Sequence, residues 1–159
     1  MEKVSKHISY SEATRSNTAT RWNIDNIPNG EQLDSMRTVA WAVFEPLRVW
    51  VDGPIRINSF FRSQELNTKL KGSRTSSHMK GQAIDIDDTH GHATNAEMFN
   101  RIKDELDFDQ LIWEFGDDDN PAWVHVSYIS PYDNRNQVLK AIRFTDRGGK
   151  KRTKYIPYE

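Results

Sequence analysis

Two histidines and a run of carboxylates carry the chemical interest of this chain, in "SSHMKGQAIDIDD", residues 76 to 88, and in "WVHVS", residues 123 to 127. His78 precedes Asp85 by seven positions, and the first stretch ends in a β-branched run interrupted by Asp85 and Asp87. Side chains alternate across a strand, so Ala83, Asp85 and Asp87 share one face while Gln82, Ile84 and Ile86 share the other. The same alternation sets Trp123, His125 and Ser127 opposite Val124 and Val126. If the two strands are neighbours, His78, Asp85 and His125 converge. Two imidazoles and one carboxylate, with a fourth position left to water, suit a catalytic zinc ion, which acidifies water and polarises a carbonyl. Periodicity alone leaves a competing reading open, in which the strand histidine is hydrogen-bonded in a core and the aspartates are solvated at a strand end. His90 and His92 form a rival pair on a Gly-containing loop and read as surface residues; His7 has no evident partner in the sequence.

These side chains need elements to position them. Ser9 and Glu12 have capping-box spacing and predict a short first helix, followed by the loop "NIDNIPNG". From Glu31 to about Val51, Leu33, Met36, Val39, Val43, Leu47 and Trp50 recur at helical intervals, with Pro46 expected to kink or divide the helix. "IRINSFF" reads as a strand and "RSQELNTKLKGSR" as a short helix running into the Gly/Ser loop that delivers His78. "DDTHGHAT" reads as a loop, and Thr94 with Glu97 predicts a capped helix to about Leu106. "QLIWEF" and "WVHVSYI" are the remaining strands, separated by the turn-like "GDDDNP". The order predicts an α+β domain with helices against a small sheet.

At 159 residues the chain is the size of one domain, and 22 basic against 23 acidic side chains give no global argument for a nucleic-acid or membrane-surface protein. The absence of cysteine removes disulfides, thiolate-held metal and thiol nucleophiles, so a metal site must use His, Asp and Glu. The N-terminus lacks the apolar core of a signal peptide, and no stretch is long and apolar enough for a membrane span. A soluble protein made in the cytoplasm is expected. Lys140 to Glu159 hold seven basic and two acidic residues, a net +5 in a chain of net −1. They are expected either as an appended basic tail or as terminal strands.

The stretches "INSFFRSQELN", "SRTSSHMKGQAIDI", "QLIWEF" and "WVHVS" resemble peptidase family M15, the zinc D-Ala-D-Ala peptidases, and in particular its compact bacterial and phage members. The pattern S-x-H-x-x-G-x-A-x-D is matched by Ser76, His78, Gly81, Ala83 and Asp85, and a later W-x-H motif by Trp123 and His125. The similarity runs from about Val4 to Ser130. It implies an α+β fold of the hedgehog/D-Ala-D-Ala peptidase type, with a small antiparallel sheet carrying the zinc site against helices. Residues 1–131 are then the peptidase domain and 132–159 a basic C-terminal extension. The resemblance implies Zn²⁺ held by His78, Asp85 and His125, with Arg62 on the substrate carboxylate or developing oxyanion and Ser76 a hydrogen-bonding neighbour. Phe60 departs from the family, which commonly has Gly there.

Many family members carry an acid three positions before the last histidine, where this chain has Ala122. The alternative general base is Glu114, whose flanking Trp113 and Phe115 suggest partial desolvation and a raised pKa; Asp117, Asp118 and Asp119 are its competitors. The expected function is zinc-dependent hydrolysis of the peptide part of peptidoglycan, as carboxypeptidase or endopeptidase, at the bacterial cell wall in host or phage use. The expected partner is the stem peptide, bound by a monomer without nucleic acid or membrane insertion. A non-catalytic wall-peptide or metal-binding module of the same fold is the alternative that Ala122 permits.

Overall fold

The structure, a computed structural model, describes residues 2–159. A small antiparallel pair, β1 (Lys3–Ser5) and β2 (Ile8–Ser9), leads into two one-turn helices, α1 (Tyr10–Thr14) and α2 (Asn17–Arg21). Helix α3 (Gly30–Val39) opens on a capping box between Asn29 and Gln32, a local signal that the helical stripe of the sequence did not include. Pro46 does not end the long helix, whose α-helical hydrogen bonding is interrupted just ahead of it. A π-helical turn over Ala40–Phe44 joins α3 to α4 (Glu45–Val51), and the Glu45 N–H reaches back to the Ala40 carbonyl. The wider turn accommodates a residue that lacks an N–H and crowds the preceding turn.

The rest of the chain builds one six-stranded sheet in the order β3-β4-β6-β5-β7-β8. Its strands are β3 (Arg56–Ser59), β4 (Ala83–Asp87), β5 (Gln110–Glu114), β6 (Trp123–Ser127), β7 (Gln137–Thr145) and β8 (Lys151–Pro157). All pairs are antiparallel except β5 with β7. Helix α5 (Gln64–Lys69) follows β3, and α6 (Asn95–Glu105) follows β4, with the expected Thr94–Glu97 capping box in place. The fold is α+β.

One face of the sheet presents Ile84, Ile86, Leu111, Trp113, Val124 and Val126 to Met36, Val39, Val43 and Leu47 of the long helix and to Met98, Phe99 and Ile102 of α6. These side chains are almost wholly buried. Their removal from water is the main force holding helices to sheet, at roughly 1.5–3 kcal/mol for a fully buried aliphatic side chain. Because alternation sends every second residue the other way, the opposite face carries Asp85, Ile112, Glu114 and His125.

Residues 132–159, expected as an appended extension, form part of this sheet, with β7 hydrogen-bonded beside β5 and β8 closing the edge. Ala141 is fully buried, and the Tyr158 ring packs 4.8 Å from Phe99 and 5.7 Å from Trp113, centroid to centroid. The basic residues decorate an edge hairpin, where charge discourages pairing with another chain. The boundary near residue 131 is therefore a strand connection.

Candidate active site

The register of β4 and β6 sets Asp85 directly opposite His125. Their side chains meet on the open face, His125 Nδ1 lying 2.8 Å from Asp85 Oδ1. His78 arrives from a 3₁₀ turn over Ser77–Lys80, its Nε2 3.3 Å from Asp85 Oδ2. The Ser76 hydroxyl accepts the His78 N–H and so starts this turn; Gly81 ends it at φ +72°, where an added Cβ would run into the Gln32 carbonyl and Met36 of α3. The backbone N–H of Arg62 donates to the His78 carbonyl at 3.2 Å, tying the turn to the chain leaving β3.

Second partners fix the chemistry of these groups. His78 Nδ1 lies 2.7 Å from the Phe60 carbonyl, which can only accept, so Nδ1 donates there and Nε2 is the ring nitrogen turned towards Asp85. Phe60 itself is buried in the core. Its side chain is turned away from the site, and the departure from glycine leaves a backbone carbonyl in place to orient the ligand. Burial would raise the Asp85 pKa, but His78 and His125 overcome it and hold the carboxyl well below its ordinary range. One donor atom each from His78, Asp85 and His125 lies within 4.8 Å of the others, a spacing that a single metal ion can span. Two imidazole nitrogens and a carboxylate fit a borderline divalent cation.

Glu114 ends β5, opposite Trp123 of β6 and two residues beyond the Ile112–His125 pair on the same face. It is only 6% exposed. Burial, opposed by His125 and assisted by the like charge of Asp85, pushes its pKa up to about 7. Phe115 then turns sharply at φ +56°, and Gly116 follows at φ +71°, where a Cβ would strike the Asn120 carbonyl. That turn carries the aspartate run away. Asp117 accepts the Asp119 and Asn120 N–H groups and Asp118 pairs with Lys140, so Glu114 is the carboxylate of this segment that reaches the cleft.

Arg62 borders the same cluster, with Nη2 4.0 Å from Asp85 Oδ2 and Nη1 donating to Asn67 Oδ1 at 3.2 Å. Its Nε is buried without a partner among the described residues. Asn67, nearly fully buried on α5, also donates to the Ser73 carbonyl and so binds Arg62 to the Gly/Ser loop. Its role was hidden in the sequence, where a polar residue on a short helix looks solvated. Arg62, Ser76, His78, Asp85, Glu114 and His125 all line one cleft of about 450 Å³. The cleft also takes Leu139, Thr153 and Tyr155 from the C-terminal hairpin. His90 and His92 stay on their loop, outside the cluster, and His7 bonds Glu45 at 2.7 Å.

A cluster of two imidazoles and one carboxylate, open to a cleft and flanked by a carboxyl poised near neutrality, is the layout of a metal-assisted hydrolase. The profile of the family described as Peptidase M15 matches residues 6–127, and the chain belongs to that family of metallopeptidases. A comparison with curated proteins gave no match. The matched region contains all six residues read from the sequence as the site and ends before β7.

Proposed function

We propose that this protein is a zinc-dependent peptidase that hydrolyses the peptide part of peptidoglycan, as a D-Ala-D-Ala carboxypeptidase or endopeptidase. His78, Asp85 and His125 would hold the ion, which supplies the Lewis acidity that activates water and polarises a carbonyl. Glu114 takes the proton from the attacking water and returns it to the departing amine. A carboxyl pushed up to about 7 is matched to both transfers at neutral pH. Arg62 remains charged despite its burial and offers a guanidinium fork to a substrate carboxylate or to the oxyanion. Ser76 holds the turn that presents His78 and lines the substrate cleft.

The observation that carries the reading is Glu114 in the same cleft as the three converging donors. A module that only bound wall peptide or metal would have no use for a buried carboxyl poised near neutrality, which disfavours the non-catalytic alternative. Peptidoglycan as substrate is supported by the family and by a cleft whose lining joins the candidate metal donors to Arg62 and Ser76. The test is digestion of purified muropeptides followed by mass measurement of the products, before and after chelation and zinc return. Loss of D-Ala or cleavage within the stem is expected, abolished by the chelator and restored by zinc. Intact muropeptides with the zinc-loaded protein would overturn the substrate.

Glu114→Gln should bind zinc and melt like the wild type yet lose roughly a hundredfold or more in kcat, because the isosteric amide accepts no proton. Near wild-type turnover would place the base elsewhere.

A further inference from the structure

The cleft is built from two parts of the chain. Arg62 and the loop from Gly72 to His78 form one end, at the β3–β4 side of the sheet. Leu139, Thr153 and Tyr155 form the other, on β7 and β8, outside the region shared with the family.

Strand register explains how so distant a segment reaches the site. Glu114 pairs with Ala141, and Ala141 with Tyr155, so the three share a row and a face across β5, β7 and β8. The next row runs Asp85, His125, Ile112, Leu139. Ala141, with only a methyl group, lies between Glu114 and Tyr155 in the first row, and Glu114 and Tyr155 both line the cleft. Tyr155 is 56% exposed, and a phenol is an O–H donor at neutral pH, a state that its partial burial and the charges of Glu114 and Asp85 only reinforce. The Tyr155 hydroxyl makes no hydrogen bond to the protein among the described residues. A protonated donor without a protein partner, facing a cleft that contains the candidate metal donors, is free to serve a ligand.

We propose that Tyr155 is a substrate-binding residue, and that the β7–β8 hairpin forms the subsite for the peptide on the far side of the metal cluster from Arg62. The chemical class it takes is an extended peptide backbone, whose carbonyl accepts the phenol hydrogen bond while the ring and Leu139 cover an adjoining apolar group. The assignment rests on the peptidase reading.

Tyr155→Phe tests it, since the change keeps the ring and removes only the donor. Zinc-loaded wild type and variant are compared on purified muropeptides and on a mixed synthetic peptide library, with metal content and melting temperature measured in parallel. Expected is a rise in KM of about 3–10-fold on the cleaved peptide, the size of one lost neutral hydrogen bond, with kcat within twofold. Metal content and melting temperature should not change. Unchanged kinetic constants would overturn the inference, as would a fall in kcat without a rise in KM. Lost zinc or a lowered melting temperature accompanying reduced turnover would instead mark a structural residue and also overturn it. A wild type that cleaves neither substrate set would overturn the peptidase reading and this inference together, whereas cleavage by wild type with equal constants for the variant sinks this inference alone.

Discussion

Arg62 combines features that separate substrate recognition from structural pairing. Its nearest carboxylate is 4.0 Å away, its Nη1 is held by a neutral amide, and its Nε faces no partner among the described residues. A guanidinium arranged in this way contributes little as an ion pair but keeps donors in reserve. Arg62→Lys preserves charge and loses the fork, so kcat/KM should fall about tenfold or more while the melting temperature stays close to wild type. A large loss of stability with unchanged turnover would instead make Arg62 a structural residue. On the proposed zinc assignment, alanine at His78, Asp85 or His125 should each remove most of the zinc retained after loading, measured by metal analysis of the purified protein. Full occupancy in the His125→Ala protein would refute the ligand set. The positions of these donors were legible because strand parity is a two-residue rule: it placed Asp85 and His125 on like faces and needed only the strands to pair. Asp87 shows its limit. It shares the parity of Asp85, yet it accepts from Asn95 Nδ2 at 2.8 Å and helps tie α6 to the end of β4. Parity predicts a face and leaves open which neighbour waits there. The same limit hid Asn67 and the Phe60 carbonyl, whose partners lie in other segments.

At the level of elements, the face bearing the site depends on β5, β6 and β7 keeping their register, and one buried carboxylate joins them at their edge. Asp109 is 1% exposed; its carboxylate accepts from Arg135 Nε at 2.8 Å, Arg135 Nη2 at 2.7 Å and the Arg135 backbone N–H at 3.1 Å. Its own N–H donates to the Ser127 carbonyl of β6, and its carbonyl accepts from Gln137 at the start of β7. The Arg135 hydrogen bonds, against the opposing effect of burial, hold the Asp109 carboxyl below its ordinary range. A carboxyl lowered by folding contributes stability that is fully present above the unfolded value near ~3.9 and is lost as pH falls through the folded value. Arg135→Ala should therefore destabilise the protein by about 1–3 kcal/mol at pH 7 and by progressively less below ~pH 4, read from denaturant unfolding at several pH values. A pH-independent difference would show that Arg135 acts only by packing. No reading of the sequence found this clasp, because 26 positions separate its partners and no periodicity links them. The Ser9 N-cap and the Thr94 capping box were legible for the opposite reason, since each closes within three residues. The break expected at Pro46 takes the form of a locally widened turn just ahead of it, which accommodates proline without ending the helix.

For the molecule as a whole, the decisive question is whether the C-terminal segment from residue 132 onward is a passenger. Its composition suggested one, since β8 is exposed along nearly its whole length and rich in lysine and arginine. Charge alternating along a solvated edge hides strand periodicity, which is easiest to see when one face is apolar. The tertiary contacts reverse that impression. β7 covers the edge of β5, the strand that carries Glu114, and the chain then returns to insert Tyr158 between the helix α6 core and Trp113. Removing it would bare the β5 ladder, strip aromatic packing from the main core and delete one wall of the cleft. An open, apolar strand edge is a template for aggregation. A chain ending at Tyr132 is expected to aggregate or to melt far below the full protein, and to bind little zinc. Tyr158→Ala provides the graded version of the same argument: by losing the Phe99 and Trp113 contacts it should cost about 1–3 kcal/mol of stability, with kcat of the remaining folded protein unchanged. A soluble, monomeric protein ending at Tyr132 that retained wild-type melting and full zinc content would mean that β7 and β8 merely lie against a domain complete without them.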